Sequence, residues 1–317
     1  MAWTIIVKQI GILAILVLIG MLACRARIIT SESKDFLARI IYYVTLPALL
    51  LTNFSSIDLT PRLLSNSLQA LLLSALVMLF MLFAGWLITV IAGIKGSRAS
   101  IFRLHSMLGN VIYLGLPIIL SQFGKEGLLY GSIFILVSNI MMWTVGVSVI
   151  TTGNAFSPGR TIRGMVNINT VAIITGFLLF LLSVKLPPFI IKSVGSLGGT
   201  TTYLSMIYIG SVLYFADGRK MLRNRNVYML SASRLLLVPF ILILIFRGVD
   251  YLFPGLLKEE VISVLVMQAA MPCMVNVVIM VNILSADDGT ATANVFVSTI
   301  LSAVTLPLIL VILNWVA

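Results

Sequence analysis

Apolar runs long enough to cross a bilayer recur along this sequence, with only short polar connections between them. No other feature constrains the fold as much, because hydrocarbon satisfies no backbone N–H or C=O and such runs must close their hydrogen bonds within helices. Five can be placed in the first half, at Thr4–Ala23, Phe36–Phe54, Leu68–Ile91, Leu104–Gln122 and Leu128–Ile150. Five more follow, at Asn169–Val184, Lys192–Phe215, Val227–Phe246, Glu260–Leu284 and Thr292–Val316. At roughly 20 residues per span they take about 200 of the 317 positions, and the remainder suffices only for connections. Charged residues make up 10% of the chain, against about a quarter in a soluble domain, and the mean hydropathy is +1.13. These figures specify an all-α polytopic membrane protein with ten transmembrane helices.

The placement of the charges carries the next inference. Lys and Arg number 21 against 10 Asp and Glu, a net +11. On a soluble chain that excess would suggest nucleic acid. In a membrane protein basic loops set topology instead, and no nucleic-acid partner is expected. Thirteen cations follow spans one, three, five and seven: Arg25, Arg27, Lys34, Arg39, Lys95, Arg98, Arg103, Arg160, Arg163, Arg219, Lys220, Arg223 and Arg225. Seven lie on the opposite side: Lys8, Arg62, Lys125, Lys185, Lys192, Arg247 and Lys258. The bias predicts a multi-pass protein with both termini outside; the location expected for it is the plasma membrane, in a bacterium the inner membrane. Trp3 and Trp315 would then anchor the outer interface. One lysine, Lys8, near the start of the first run and two arginines, Arg25 and Arg27, after it reverse the charge asymmetry of a signal peptide, so cleavage at Cys24 is not expected. Cys24 and Cys273 imply neither a disulfide framework nor a metal site. A single histidine, His105, excludes His-rich metal boxes, and no cofactor is expected.

Five prolines interrupt the runs: Pro47, Pro117, Pro239, Pro272 and Pro307. Each removes a backbone donor, and in lipid the freed carbonyl needs another partner. Pro117 ends the stretch Gly109-Asn110-Val111-Ile112-Tyr113-Leu114-Gly115-Leu116-Pro117, and Pro272 sits between Gln268 and Asn276. The two prolines are 155 residues apart, as are Asn139 and Asn294. That offset suggests two five-helix repeats, residues 1–152 and 165–317. An odd number of spans per repeat makes the second copy inverted, an architecture of secondary transporters. Broken helices four and nine would then cross, bringing the N-termini of their second halves together. Such ends present unpaired N–H groups and partial positive charge, a ready anion site.

The same residues resemble the auxin efflux carrier family, whose members include plant auxin exporters and bacterial malate or malonate permeases. The resemblance runs through Tyr43-Val44-Thr45-Leu46-Pro47, Gly109–Pro117, Asn139 with Trp143-Thr144-Val145-Gly146, Arg234-Leu235 with Pro239, and Ala270-Met271-Pro272. It continues through Ser298-Thr299-Ile300-Leu301-Ser302 and Thr305-Leu306-Pro307. Two departures stand in the scaffold half of the pattern: Asn169-Thr170 where the family commonly has Asn-Pro, and Tyr203 where it favours proline. The resemblance implies a scaffold of spans one, two, six and seven and a transport domain of spans three to five and eight to ten. It also implies a homodimer, a substrate carboxylate at the four/nine crossover, and elevator-like alternating access.

The candidate substrate residues are Asn110, Tyr113, Gly115, Pro117, Gln268, Pro272 and Asn276. Asn110 stands where the resembling family places a substrate-contacting asparagine, and its amide can both donate and accept. Gly109, Asn139 and Asn294 are expected to support the crossover, the two asparagines by bonding carbonyls that the prolines free. Arg234 is expected to snorkel from its helix end to the interface, with charge balance as the alternative. His105 is expected at the interface rather than in a proton relay. No acidic residue falls at the centre of a span, although Glu259, Glu260, Asp287 and Asp288 flank the ninth. Carboxylate-driven coupling therefore has no evident carrier. Glu259-Glu260 lacks the basic and histidine partners of a membrane protease, and no enzyme is expected. Transport of a small organic anion leads, with an anion channel or a transporter-derived sensor without turnover as the alternative.

Overall fold

A computed structural model describes residues 2–55, 59–151, 166–215, 225–283 and 288–316. Arg160, Arg163, Arg219, Lys220, Arg223 and Asp287 lie outside the described residues, as do the side chains of Trp3 and Lys8. Every regular element described is helical. Among the described residues, five helical runs are long and apolar enough to cross a membrane: Ser31–Phe54, Pro61–Ile91, Val111–Ile150, Arg225–Leu252 and Gly289–Trp315. On Pro61–Ile91 the side chains of Leu68, Leu72, Leu76, Leu79, Phe83 and Trp86 are exposed at three- and four-residue intervals. An apolar stripe turned outward along a helix is the face a bilayer covers.

Prolines shape these runs in two ways. Ahead of Pro47, Pro117 and Pro239 the helix widens into π turns at Ile41–Thr45, Val111–Gly115 and Ser233–Leu237. In the first, Leu46 N–H reaches back five residues to Ile41 O. The next donor in that register would be Pro47, which has none, and the freed Tyr42 O is bonded by Asn169 Nδ2 at 3.1 Å. Pro307 differs, since the helix Asp288–Val316 runs through it unbroken. Within the long run Val111–Ile150, Gly124 breaks the helix with φ 61° and ψ −153°, conformations open to glycine alone without strain.

The chain divides into two compact units. The first comprises Met1–Leu68, Ile112–Leu136 and Val166–Ala216; the second comprises Gln69–Val111, Val137–Met165 and Asp217–Ala317. In the first unit the helix Ala2–Arg25 packs on Pro188–Phe215. Gly20 there meets the backbone at Ile207, and Gly210 meets the backbone at Val17, contacts that any Cβ would obstruct. Small residues at close helix crossings are how membrane helices gain packing without a hydrophobic drive. Asn167 caps Ile168–Leu181, its Oδ1 accepting from Asn169 N–H and Thr170 N–H at 3.1 Å each. Proline at 170 would forfeit the second bond. Arg62 donates to both carboxylate oxygens of Glu126 at 2.9 Å, and Asn66 Nδ2 donates to Tyr130 Oη at 3.0 Å.

In the second unit Arg225–Ala232 and Val275–Ile283 pack on Asp288–Val316. The irregular stretch between Leu252 and Glu259 is held by Asp250, whose Oδ1 accepts from Gly255 N–H at 3.2 Å, and by Gln69. Gln69 Nε2 donates to Leu256 O, and Lys258 N–H donates to Gln69 Oε1, both at 2.8 Å.

Candidate functional site

The second unit contains two helices that stop in mid-run. Gly96–Met107 ends before Leu108, and Glu259–Ala269 ends before Met271-Pro272. The segments beyond them meet as short antiparallel extended chains. Asn110 N–H donates to Pro272 O at 2.7 Å and Met274 N–H to Leu108 O at 3.2 Å, with Gly109 opposite Cys273. Each chain becomes helical again two residues past that pair, at Val111 and at Val275. The partners are 164 residues apart rather than 155, so the prolines are not equivalent. Pro272 lies in the crossing itself, whereas Pro117 lies just beyond the π turn that follows it.

Arg234 fastens the crossing, and it corrects an expectation. It does not snorkel: it is 1% exposed. Its Nε donates to Met271 O, and its Nη1 donates to His105 O and Ser106 O, all at 2.6 Å. These carbonyls come from the C-terminal ends of both broken helices, where unpaired acceptors carry partial negative charge. The planar guanidinium fan suits several carbonyls at once. Gly109 makes room for it, since a Cβ there would run into the guanidinium and meet Met271 Cβ at 3.4 Å.

Two further expectations change. His105 is fully buried rather than interfacial, and Asn294 Nδ2 lies 3.1 Å from its Nδ1. The amide donates to the ring, so the bonded partner shown for Asn294 is an imidazole and not a proline-freed carbonyl. Neither the Arg234 carbonyl set nor this pair had a local signal, because the partners lie 37 to 189 residues apart. Ser298, noted only within a family motif, accepts from Cys273 N–H at 3.0 Å. The Cys273 side chain joins a buried cluster with Phe102, Leu230 and Val295.

The crossing brings together Gly109, Asn110, Pro272 and Arg234, with Asn294 joined through His105. Asn110 is buried. Gln268, in the last turn before the break, is fully buried, and its amide finds no hydrogen-bond partner among the described residues. Asn276 is half-buried in the first turn of Val275–Ile283, and Asn139 is half-buried in Leu116–Met141. Tyr113, Gly115 and Pro117 belong to the first unit, where the Tyr113 ring lies 5.1 Å from that of Tyr208. A cavity of about 240 Å³ lined by Arg247, Asp250 and Glu259 takes no lining from the crossover residues.

Helices with outward apolar faces, and buried polar groups gathered where two of them break, define the class of polytopic membrane transport proteins. A family model described as "Membrane transport protein" matches residues 5–157 and again 154–310, and the chain belongs to this family, that of the auxin efflux carriers. It is 30% identical to an uncharacterized transporter of Methanocaldococcus jannaschii over 212 residues, 63% of this chain and 66% of that protein. It is 25% identical to an uncharacterized transporter of Methanothermobacter thermautotrophicus over 310 residues, 94% of this chain and 95% of that protein.

Proposed function

We propose that the chain carries a small organic anion, a carboxylate such as malate, malonate or an auxin-like acid, across the plasma membrane as a secondary active or facilitative transporter. The observation that carries this proposal is the crossing at Gly109 and Cys273, from which two helices start afresh at Val111 and Val275. Helix starts present N–H donors and partial positive charge, so a carboxylate can be held without a lysine or arginine reaching it. Asn110 and Gln268 supply amides beside the break, and the unpaired Gln268 amide is the kind of buried group a ligand satisfies. Pro272 and Asn276 complete this site within the second unit.

Ten spans in two inverted repeats, with both termini outside, form the framework of this proposal. The family model's two matches, one per half, support the repeat. The scaffold is spans one, two, six and seven, and the transport domain is spans three to five and eight to ten. The first compact unit holds Met1–Leu68 and Val166–Ala216, in line with that grouping, and also Ile112–Leu136 of spans four and five, which the grouping assigns to the transport domain. The transport domain moves past a dimeric scaffold in alternating access.

Purified protein in liposomes should take up labelled malate, malonate or an aromatic acid with saturation, and Asn110→Ala should lower uptake several-fold. Non-saturating currents would make it a channel, and binding without uptake a sensor. If no organic acid is moved or bound, the substrate class is wrong.

A further inference from the structure

In secondary transporters, unwound carbonyls and the C-terminal ends of broken helices hold the coupling Na⁺ or H⁺. The corresponding ends here are those of Gly96–Met107 and Glu259–Ala269. Their His105, Ser106 and Met271 carbonyls already accept from one side chain, Arg234. That side chain is 1% exposed, and no described carboxylate forms an ion pair with it. Its charge is met by carbonyl dipoles drawn from both breaks.

We infer that the Arg234 guanidinium is a tethered cation occupying the place of a coupling ion, so that this crossover needs no dissociable Na⁺ or K⁺. The consequence for transport rests on the function proposed above; the evidence for the cation does not. Three features of the chain build its seat. The π turn Ser233–Leu237, ahead of Pro239, is where the arginine is mounted. Gly109 leaves empty the volume the guanidinium fills. The carbonyls it binds come from segments that also pair directly, Leu108–Asn110 with Pro272–Met274. A monovalent ion could bind the same oxygens, but it would exchange with solution. A side chain cannot, and the site keeps its charge in every state of the carrier.

The test uses the full-length protein without substrate, so failure of the organic-anion assignment leaves it untouched. Thermal unfolding of the wild type and of Arg234→Ala, Arg234→Lys and Arg234→Gln is compared in NaCl, KCl and choline chloride at one ionic strength. Guanidinium chloride is then added at millimolar, non-denaturing concentration. The wild-type Tm should be the same in all three salts and unmoved by guanidinium. Arg234→Ala should lose several degrees and recover part of the loss with guanidinium, while Arg234→Lys should melt above Arg234→Gln. A wild-type Tm raised selectively and saturably by Na⁺ overturns the inference. So does an Arg234→Ala protein indifferent to guanidinium, Na⁺ and K⁺. If that variant does not fold, the other two decide: equal Tm values for Arg234→Lys and Arg234→Gln overturn it.

Discussion

Two prolines, Pro47 in the first unit and Pro272 in the second, pose the same problem and receive different answers. At Pro47 the helix widens but continues, and one freed carbonyl, Tyr42 O, is bonded by the neutral amide of Asn169. At Pro272 the helix stops, its chain pairs with Leu108–Asn110, and a buried cation binds carbonyls from two helices. The difference is one of how many acceptors are released. A single orphan needs a single donor, whereas two helix ends meeting in a low-dielectric interior concentrate negative potential that only a charged group with several donors can offset.

That contrast is open to attack, starting where the effect should be largest. Arg234→Ala should lower stability by about 3–5 kcal/mol, the scale for stripping a buried charged network of one member, read as loss of Tm or of denaturant midpoint. Gly109→Ala should cost about 1–3 kcal/mol by overpacking and should abolish uptake, because its Cβ displaces the guanidinium. Asn169→Leu should cost only about 1 kcal/mol, the net value of one neutral bond, with uptake retained. Were Asn169→Leu as damaging as Arg234→Ala, the distinction between the two breaks would collapse. Smallest of all, Arg62→Gln should change stability by less than about 1 kcal/mol, an effect that vanishes in high salt, since its pair with Glu126 is largely exposed.

Much of the helical framework was legible because hydrophobicity and length are local properties. The run Val227–Phe246 becomes Arg225–Leu252, and Leu68–Ile91 becomes Pro61–Ile91, each lengthened at polar ends that hydropathy undercounts. The π turns were not legible, although Pro47, Pro117 and Pro239 each stand two residues past one. Proline announces a missing donor and leaves open whether the helix widens, stops or, as at Pro307, simply carries on. Which group bonds the freed carbonyl depends on distant packing. Asn169 reaches Tyr42 across 127 residues of sequence and Arg234 reaches His105 across 129. At the candidate site Asn110 and Pro272 were found from sequence, but their direct bond and the cation beside them required the fold.

The grip of Gln69 on the connection at Leu256 and Lys258 has a practical side. By accepting from one residue and donating to the carbonyl two before it, a single amide imitates the edge of a neighbouring strand. The connection is thereby anchored to the second unit despite lacking regular structure. Leu256 itself is 56% exposed, while both native thiols, Cys24 and Cys273, are buried. Leu256→Cys would therefore accept a fluorophore or spin label selectively, giving a reporter anchored to the second unit.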